Sequence, residues 1–315
     1  MDKKIVVIGS SNIDFIMKMP RLPKVGETVT DAVFMQTFGG KGANQAVGAA
    51  RAGGKVYFVN CAGDDDLTPR MIEQYRNDGI DTSYIFRENG ISTGTALIMI
   101  GEQGSNYLSV APGANYRLLP SYIDKAEKII KEADLVILQY EILAETLKYT
   151  LSLCERLGKT VLWNFAPARE FDKNYLKKVS ILVVNETEAE ILSGISVKDD
   201  ASVEKAAKEL KSHGCKTVII TLGINGSFIL DGDKIMKVPA FKVEAIDTTA
   251  AGDIYCGSLA VALVEGKSFS ESVRFASAAA AISVTRMGAQ PSAPGRKEID
   301  DFLYKYVADQ NKSIL

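Results

Sequence analysis

The chain has one histidine, His213, among 315 residues. A Ser-His-Asp or Cys-His nucleophile system, or a site of several histidines around a metal, has almost nothing to be built from. Cysteine is scarce as well. Cys61, Cys154, Cys215 and Cys256 lie 93, 61 and 41 residues apart, which fits neither zinc-ligand spacing nor a dense disulfide framework, so reduced and mostly buried thiols are expected. No charge of one sign dominates: 37 lysines and arginines stand against 39 aspartates and glutamates, net −2. They are scattered rather than blocked, so neither nucleic acid nor an anionic membrane surface is an expected partner. Long apolar runs are missing too. The run Ile5 to Ile8 is too short for a signal-peptide core, and no segment reaches the roughly 18 uninterrupted apolar residues of a membrane-spanning helix. A soluble cytoplasmic protein is expected, whose chemistry rests on carboxylates, lysines, amides and backbone.

What is present is an alternation. Short β-branched runs recur at Lys4 to Ile8, Lys55 to Asn60, Asp134 to Leu138, Lys159 to Trp163, Val179 to Val184 and Lys216 to Thr221. Stretches of helical length lie between them, such as Ile142 to Leu157 and Ala201 to His213. Continuous apolar strands alternating with helices predict an α/β fold, doubly wound, with a mainly parallel central sheet flanked by helices. Two spans break the rhythm, about residues 15–38 and 92–110, rich in β-formers and turn residues; they read as antiparallel strands inserted into one domain of 315 residues to form a small β flap. Edge hairpins of the main sheet are the alternative. Ala250 to Val264 and Phe269 to Thr285 predict two small-residue helices packed closely against the sheet.

Several polar motifs stand at strand ends and helix starts. Asp247-Thr248-Thr249-Ala250-Ala251-Gly252-Asp253 precedes a long helix, where successive N–H groups form an anion site. Asp253 beside a docked phosphate could accept a proton from an attacking hydroxyl; an N-capping turn is the structural alternative. Gly39-Gly40-Lys41-Gly42-Ala43-Asn44-Gln45-Ala46 leads into another helix. It does not match a Walker A loop, but bare backbone with one amide and one ammonium suits a polyhydroxylated ligand. Asn12 and Asp14 follow the first strand, and Glu141, Asn185-Glu186-Thr187-Glu188 and Thr221 to Gly226 follow others. In open α/β sheets, ligands bind at that end. No Gly-x-Gly-x-x-Gly follows the first strand, which disfavours a nicotinamide dehydrogenase.

Taken in order, these motifs resemble the ribokinase/PfkB family of sugar kinases. The resemblance runs from Gly9-Ser10-Ser11-Asn12-Ile13-Asp14 to Gly288-Ala289-Gln290-Pro291-Ser292 and includes Asn164-Phe165-Ala166-Pro167-Ala168-Arg169 and Asn185 to Glu190. It implies a sugar held between the α/β domain and a β-sheet lid, with ATP alongside. It assigns sugar contacts to Asn12, Ile13, Asp14, Gly40, Lys41, Gly42, Ala43, Asn44 and Glu141. Nucleotide contacts fall to Asn185, Thr221, Leu222, Gly223, Ile224, Asn225, Gly226, Gly252, Asp253 and Ser277. Asp253 would be the base, with Ala250, Ala251 and Gly252 supplying amides to the transferred phosphoryl. Glu188 is linked to Mg²⁺, through water if not directly, since that ion dehydrates reluctantly. Asp247, Thr249, Ser283, Arg286, Gly288 and Ser292 match a loop for a monovalent cation, K⁺. The family's usual glycine is alanine at position 250.

The implied reaction is ATP-dependent phosphorylation of the 5-hydroxyl of D-ribose. Alternatives are another kinase of the family, 2-deoxyribose kinase foremost, and a sugar sensor without catalysis. Open strand edges and apolar faces on a lid further predict a homodimer formed by two lids. His213 reads as an exposed residue near a helix C-terminus, without a catalytic role.

Overall fold

The computed structural model describes residues 3–102 and 105–312; residues 103 and 104 of the span 92–110 lie outside the described residues. Strand β1 (Lys4–Ile8) leads through Gly9-Ser10-Ser11 into β2 (Asn12–Met19), β3 (Val33–Gly39) and helix α1 (Lys41–Arg51). Next come β4 (Lys55–Ala62), α2 (Thr68–Asn77), β5 (Ile85–Arg87), β6 (Gly94–Gly101) and β7 (Asn106–Ala111). Short helices α3 (Pro120–Lys125) and α4 (Glu127–Glu132) lead to β8 (Leu135–Leu138), α5 (Ala144–Arg156), β9 (Thr160–Asn164) and β10 (Ile181–Asn185). The chain continues through α6 (Glu186–Ser193), α7 (Asp200–Ser212), β11 (Thr217–Thr221), β12 (Ser227–Asp231) and β13 (Lys234–Val238), and finishes with α8 (Ala251–Val264), α9 (Phe269–Ser283) and α10 (Arg296–Lys312).

Nine strands form the central sheet in the order β13-β12-β11-β10-β9-β8-β1-β4-β5. The strands from β11 to β5 are parallel. The hairpin of β12 and β13 adds an antiparallel edge, which the strand reading of the sequence stopped short of. In β1, Ile5 and Val7 join a core with Val47 of α1 and Leu259 of α8, while Val6 and Ile8 join a second core that includes Leu147 and Leu151 of α5. All four strand residues are fully buried. Burial of a side chain of this size stabilises by about 1.5–3 kcal/mol relative to exposure. A strand covered on both faces has no polar side to alternate with, hence the continuous apolar run.

From β1 the chain builds outward to β4 and β5 on one side, then returns at β8 and builds outward on the other. The strand order therefore reverses between β1 and β8, the point beyond whose carboxyl ends open α/β sheets bind ligands. Gly9 and Gln139 meet there so closely that a Cβ on Gly9 would lie 1.8 Å from the Gln139 side-chain oxygen.

The second sheet has the order β3-β2-β6-β7. Its two hairpins are antiparallel, but the central pair β2 and β6 runs parallel, with Asn12 opposite Gly94. This differs from the all-antiparallel arrangement read in the sequence. Both strands set out from the edge of the core, at Asn12 and Gly94, where Asn115 donates to Asn12 at 2.8 Å. They therefore travel in the same direction. Each of the four cysteines is a buried free thiol. No helix among the described residues is long and apolar enough to cross a membrane. His213 is half-buried rather than exposed, at the end of α7 with Nε2 3.4 Å from Glu209.

Candidate active site

The N-terminus of α1 is built against the β1–β2 loop by near contact of backbones. Gly40 has φ 88°, and a Cβ there would come within 2.8 Å of the Asn12 nitrogen. A Cβ on Gly42 would come within 2.5 Å of the Ser10 nitrogen. Glycine is thus required at both positions. Glu141, beyond the end of β8, closes the corner: its Oε2 accepts from Ser10 Oγ at 2.6 Å and from the Lys41 N–H at 2.9 Å. A carboxylate at a helix N-terminus is favourably placed against the helix dipole.

One turn further along α1, Asn44 and Gln45 face the start of α8. Asn44 Nδ2 donates to Asp253 Oδ2 at 3.1 Å, and Gln45 Nε2 donates to Asp253 Oδ1 at 2.9 Å. Asp253 is 5% exposed. Burial raises its pKa, opposed by the Lys41 ammonium and by the two amides. Burial also works against charge on Lys41, yet the carboxylates of Asp253, Glu141 and Glu188 outweigh it and hold the ammonium above its ordinary pKa. The site therefore keeps one cation among three carboxylates.

Asp253 lies in the first turn of α8, where the leading N–H groups have no intrahelical acceptor. The chain enters that turn through Ala250, which has φ 60° and ψ 8°. Among the described residues it is the only non-glycine with positive φ. The left-handed conformation costs a residue with a Cβ about 1–2 kcal/mol, and it turns the start of α8 sharply toward α1.

Asp14 is 8% exposed, and its Oδ1 has no hydrogen-bond partner; neither has Asn44 Oδ1. Burial, aided by the nearby Glu141 charge, pushes the Asp14 carboxyl up to about 7. Ile13 and Ala43 are buried, leaving only their backbone to serve a ligand. Asp14, Thr37 and Ile98 of the second sheet line a narrow cleft opposite Asp247, Thr249 and Gly288. It continues into a larger cleft of about 790 Å³ between Lys18, Val33 and Ile100 on one wall and Ile246 to Thr249 on the other. The larger space lies beside the Asp253 cluster, not over it. Chemistry is better judged from the buried polar groups than from the volume.

Asn185 and Thr221 are register partners at the carboxyl ends of adjacent strands. Leu222 is half-buried, Gly223, Ile224 and Asn225 are exposed, and Gly226 is buried. Ser277 lies mid-helix on α9, half-buried. Asn185 and Glu188 form a reciprocal cap on α6: Glu188 N–H donates to Asn185 Oδ1 at 2.8 Å and Asn185 N–H to Glu188 Oε2 at 2.9 Å. Both thus hold structural positions irrespective of any ligand. Burial raises the Glu188 pKa against the Asn185 N–H and the Lys41 charge.

Of the predicted cation-loop residues, Thr249 and Gly288 meet at Asp247. Its Oδ1 accepts from the Thr249 N–H at 2.9 Å and its Oδ2 from the Gly288 N–H at 2.8 Å. Although burial opposes it, these donors and the Thr249 hydroxyl keep the Asp247 carboxyl below its usual range. Ser283 and Ser292 are buried, with hydroxyls donating to Ala280 and Ala289 carbonyls. The Arg286 guanidinium pairs with Glu298 at 2.5 Å.

Sequence reasoning missed four buried amides as site components: Asn115, Gln139 and, although quoted within motifs, Gln45 and Asn164. A readable signal existed for two. Gln45 interrupts the apolar Ala43, Ala46, Val47 face, and Gln139 directly follows a fully buried strand.

A family model for "pfkB family carbohydrate kinase" matches residues 2–296. A Haemophilus influenzae ribokinase is 41% identical over 96% of this chain and 99% of its own. A Salmonella typhi deoxyribokinase is 37% identical over 95% of this chain and 98% of its own. The solved structure of Arabidopsis thaliana ribokinase complexed with ribose and ATP superposes with a TM-score of 0.91 at 33% identity, covering 96% of this chain and 99% of that one.

Proposed function

Since the chain belongs to the pfkB family of carbohydrate kinases, we propose that it is an ATP-dependent kinase that phosphorylates the 5-hydroxyl of D-ribose to give D-ribose 5-phosphate. The observation that carries the chemical reading is Asp253. It is a buried carboxylate held through both oxygens by Asn44 and Gln45, at a helix N-terminus and within the field of Lys41. Asp253 takes the proton of the 5-hydroxyl as that oxygen attacks the γ-phosphorus. The bond from phosphorus to the bridging oxygen breaks, and ADP leaves. The Ala250, Ala251, Gly252 and Asp253 amides face the charge that gathers on the transferred group. General-base removal costs about 10² to 10⁴ in rate.

Asn12, Asp14, Lys41, Asn44, Glu141 and the backbone of Ile13, Gly40, Gly42 and Ala43 hold the sugar. Asp14 Oδ1 and Asn44 Oδ1 are unpaired buried acceptors, suited to a ligand rich in hydroxyl donors. A fully hydroxylated pentose satisfies more of them than a 2-deoxy sugar, which favours ribose over the substrate named for the Salmonella relative. Asn185, the Thr221 to Gly226 turn, Gly252 and Ser277 serve the nucleotide.

Mg²⁺ bound with ATP neutralises phosphate charge. Glu188 fits an indirect role, because the Asn185 N–H fixes its carboxylate in direction. The Asp247 loop fits a monovalent cation such as K⁺ in its donor set, which is all oxygen with a single carboxylate; Arg286, whose guanidinium is drawn to Glu298, has its carbonyl to offer. Such an ion supplies fixed positive charge beside the anion site.

The whole chain forms one domain, with the second sheet as a lid that keeps water from the transferred phosphoryl. Two such lids pair in a homodimer. Reduced thiols and a small phosphorylated product suit the cytoplasm. An ADP-release assay on D-ribose with ATP and Mg²⁺, with and without K⁺, tests the reading together with Asp253→Asn. Near-normal turnover by a folded Asp253→Asn protein would remove Asp253 as base.

A further inference from the structure

Behind Asp253 lies a chain of buried side-chain amides. Gln45 Nε2 donates both to Asp253 Oδ1 at 2.9 Å and to Asn164 Oδ1 at 3.1 Å. Gln45 Oε1 accepts from Gln139 Nε2 at 2.7 Å. Asn164 Nδ2 in turn donates to the Val183 carbonyl at 3.3 Å. Gln45 and Gln139 are fully buried and Asn164 is 7% exposed.

The orientations in this chain are set from its anchored end. The Val183 carbonyl is a backbone acceptor, so Asn164 presents its oxygen, not its nitrogen, to Gln45. Gln139 Oε1 has no hydrogen-bond partner, so Gln139 adapts to Gln45 and gives its nitrogen to Gln45 Oε1. The Asn164 oxygen and the Asp253 carboxylate leave the Gln45 NH₂ facing Asp253. Turned over, Gln45 would set its oxygen against a carboxylate and another amide oxygen. Such unpaired buried contacts are strongly disfavoured. The members come from four separate elements: α1, the end of β8, β9 and α8. Nothing in Gln45 reaches the crevice where a sugar would react, because Asp253 stands between.

We propose that Gln45, oriented by Asn164 and backed by Gln139, is the positioning residue of the phosphoryl-transfer reaction: its N–H holds one oxygen of Asp253 so that the carboxylate meets the attacking hydroxyl in a single orientation. This rests on Asp253 being the base. Asn44 donates to the other Asp253 oxygen, and Lys41, Glu141, Glu188 and the Cys256 thiol also act on Asp253; all of them remain in place when Gln45 is changed. Misplacing a reacting group by about 1 Å costs on the order of 10²-fold in rate.

The test compares steady-state kinetics of Gln45→Met, Gln45→Glu, Gln139→Met and Asp253→Asn in the full chain with ATP and D-ribose. Methionine keeps the length of glutamine and removes the donor. The expected result is a fall in kcat of about 10- to 10²-fold for Gln45→Met, a smaller fall for Gln139→Met, and KM for ATP unchanged in both. Losing the Gln45 donor also raises the Asp253 pKa, so the acidic limb of kcat against pH moves to higher pH in Gln45→Met, which a purely structural role would not produce; Gln45→Glu sets a second carboxyl against Asp253 and moves it further the same way. A folded Gln45→Met with kcat within about threefold of wild type, beside an inactive Asp253→Asn, overturns the positioning role alone. A loss shared equally by kcat, both KM values and thermal stability also overturns it. Turnover persisting in Asp253→Asn removes the underlying assignment of the base instead.

Discussion

The two sheets of this molecule solve opposite problems. In the central sheet, β1 and β8 have no side chain with more than a trace of exposure apart from the first residue of β1, and two hydrophobic clusters cover the two faces. In the second sheet every residue of β7 is exposed, and Phe34, Leu97, Tyr107 and Leu108 are each more than half exposed. The register places Phe34 and Tyr107 in one row across the sheet and Leu108 in the next, so both faces carry uncovered apolar area. Exposed apolar area on this scale marks an interaction surface. The central sheet is covered on both faces by its own chain; the second is not, and the proposed lid and lid-paired dimer rest on that difference.

That contrast can be broken by mutation. Phe58→Ala, in a fully buried site of β4, should destabilise the chain by about 3–5 kcal/mol, read by denaturant unfolding and independent of protein concentration. Leu97→Lys with Leu108→Lys charges one residue on each face of the second sheet. The expected outcome is a shift from dimer to monomer by light scattering with little loss of core stability. Dimers persisting in the double variant, or a fall in stability like that of Phe58→Ala, would erase the distinction.

A pH experiment examines the seam between the sheets. Because burial raises the Asp14 carboxyl to about 7 in the folded chain, the native state retains a proton that the unfolded state releases near 4. Stability therefore declines as pH rises from about 4 to 7, and Asp14→Asn should flatten that decline. Hydroxyls donating to Asp14 favour its ionised form, so ribose affinity should increase as pH rises through about 7, measured by calorimetry at pH 6 and pH 8. The smallest effect is expected at Ala250→Gly. Relief of the positive φ is partly offset by the greater freedom of glycine in the unfolded chain, leaving a gain of up to about 1 kcal/mol.

Legibility in the sequence followed the same division. The central strands were readable because a strand buried on both faces is a run of Val, Ile and Leu, as in Lys4–Ile8 and Thr217–Thr221. The second sheet could be located but its pairing could not, since the parallel contact of β2 with β6 joins segments some eighty residues apart. Asp253, Asn44 and the glycines at 40 and 42 were visible as motifs. Gln45 and Asn164 stood inside quoted motifs and Gln139 beside a buried strand, but none was given a role, because a buried amide acquires its meaning from the partner that the fold brings to it.

The measurement that bears most directly on the account is a side-by-side ADP-release assay on D-ribose and 2-deoxy-D-ribose with ATP and Mg²⁺, the product located by phosphorus–proton coupling. The account predicts a higher kcat/KM for ribose, with phosphate on the 5-oxygen. Preference for the deoxy sugar, phosphate at another position, or no sugar-dependent ADP release would contradict it.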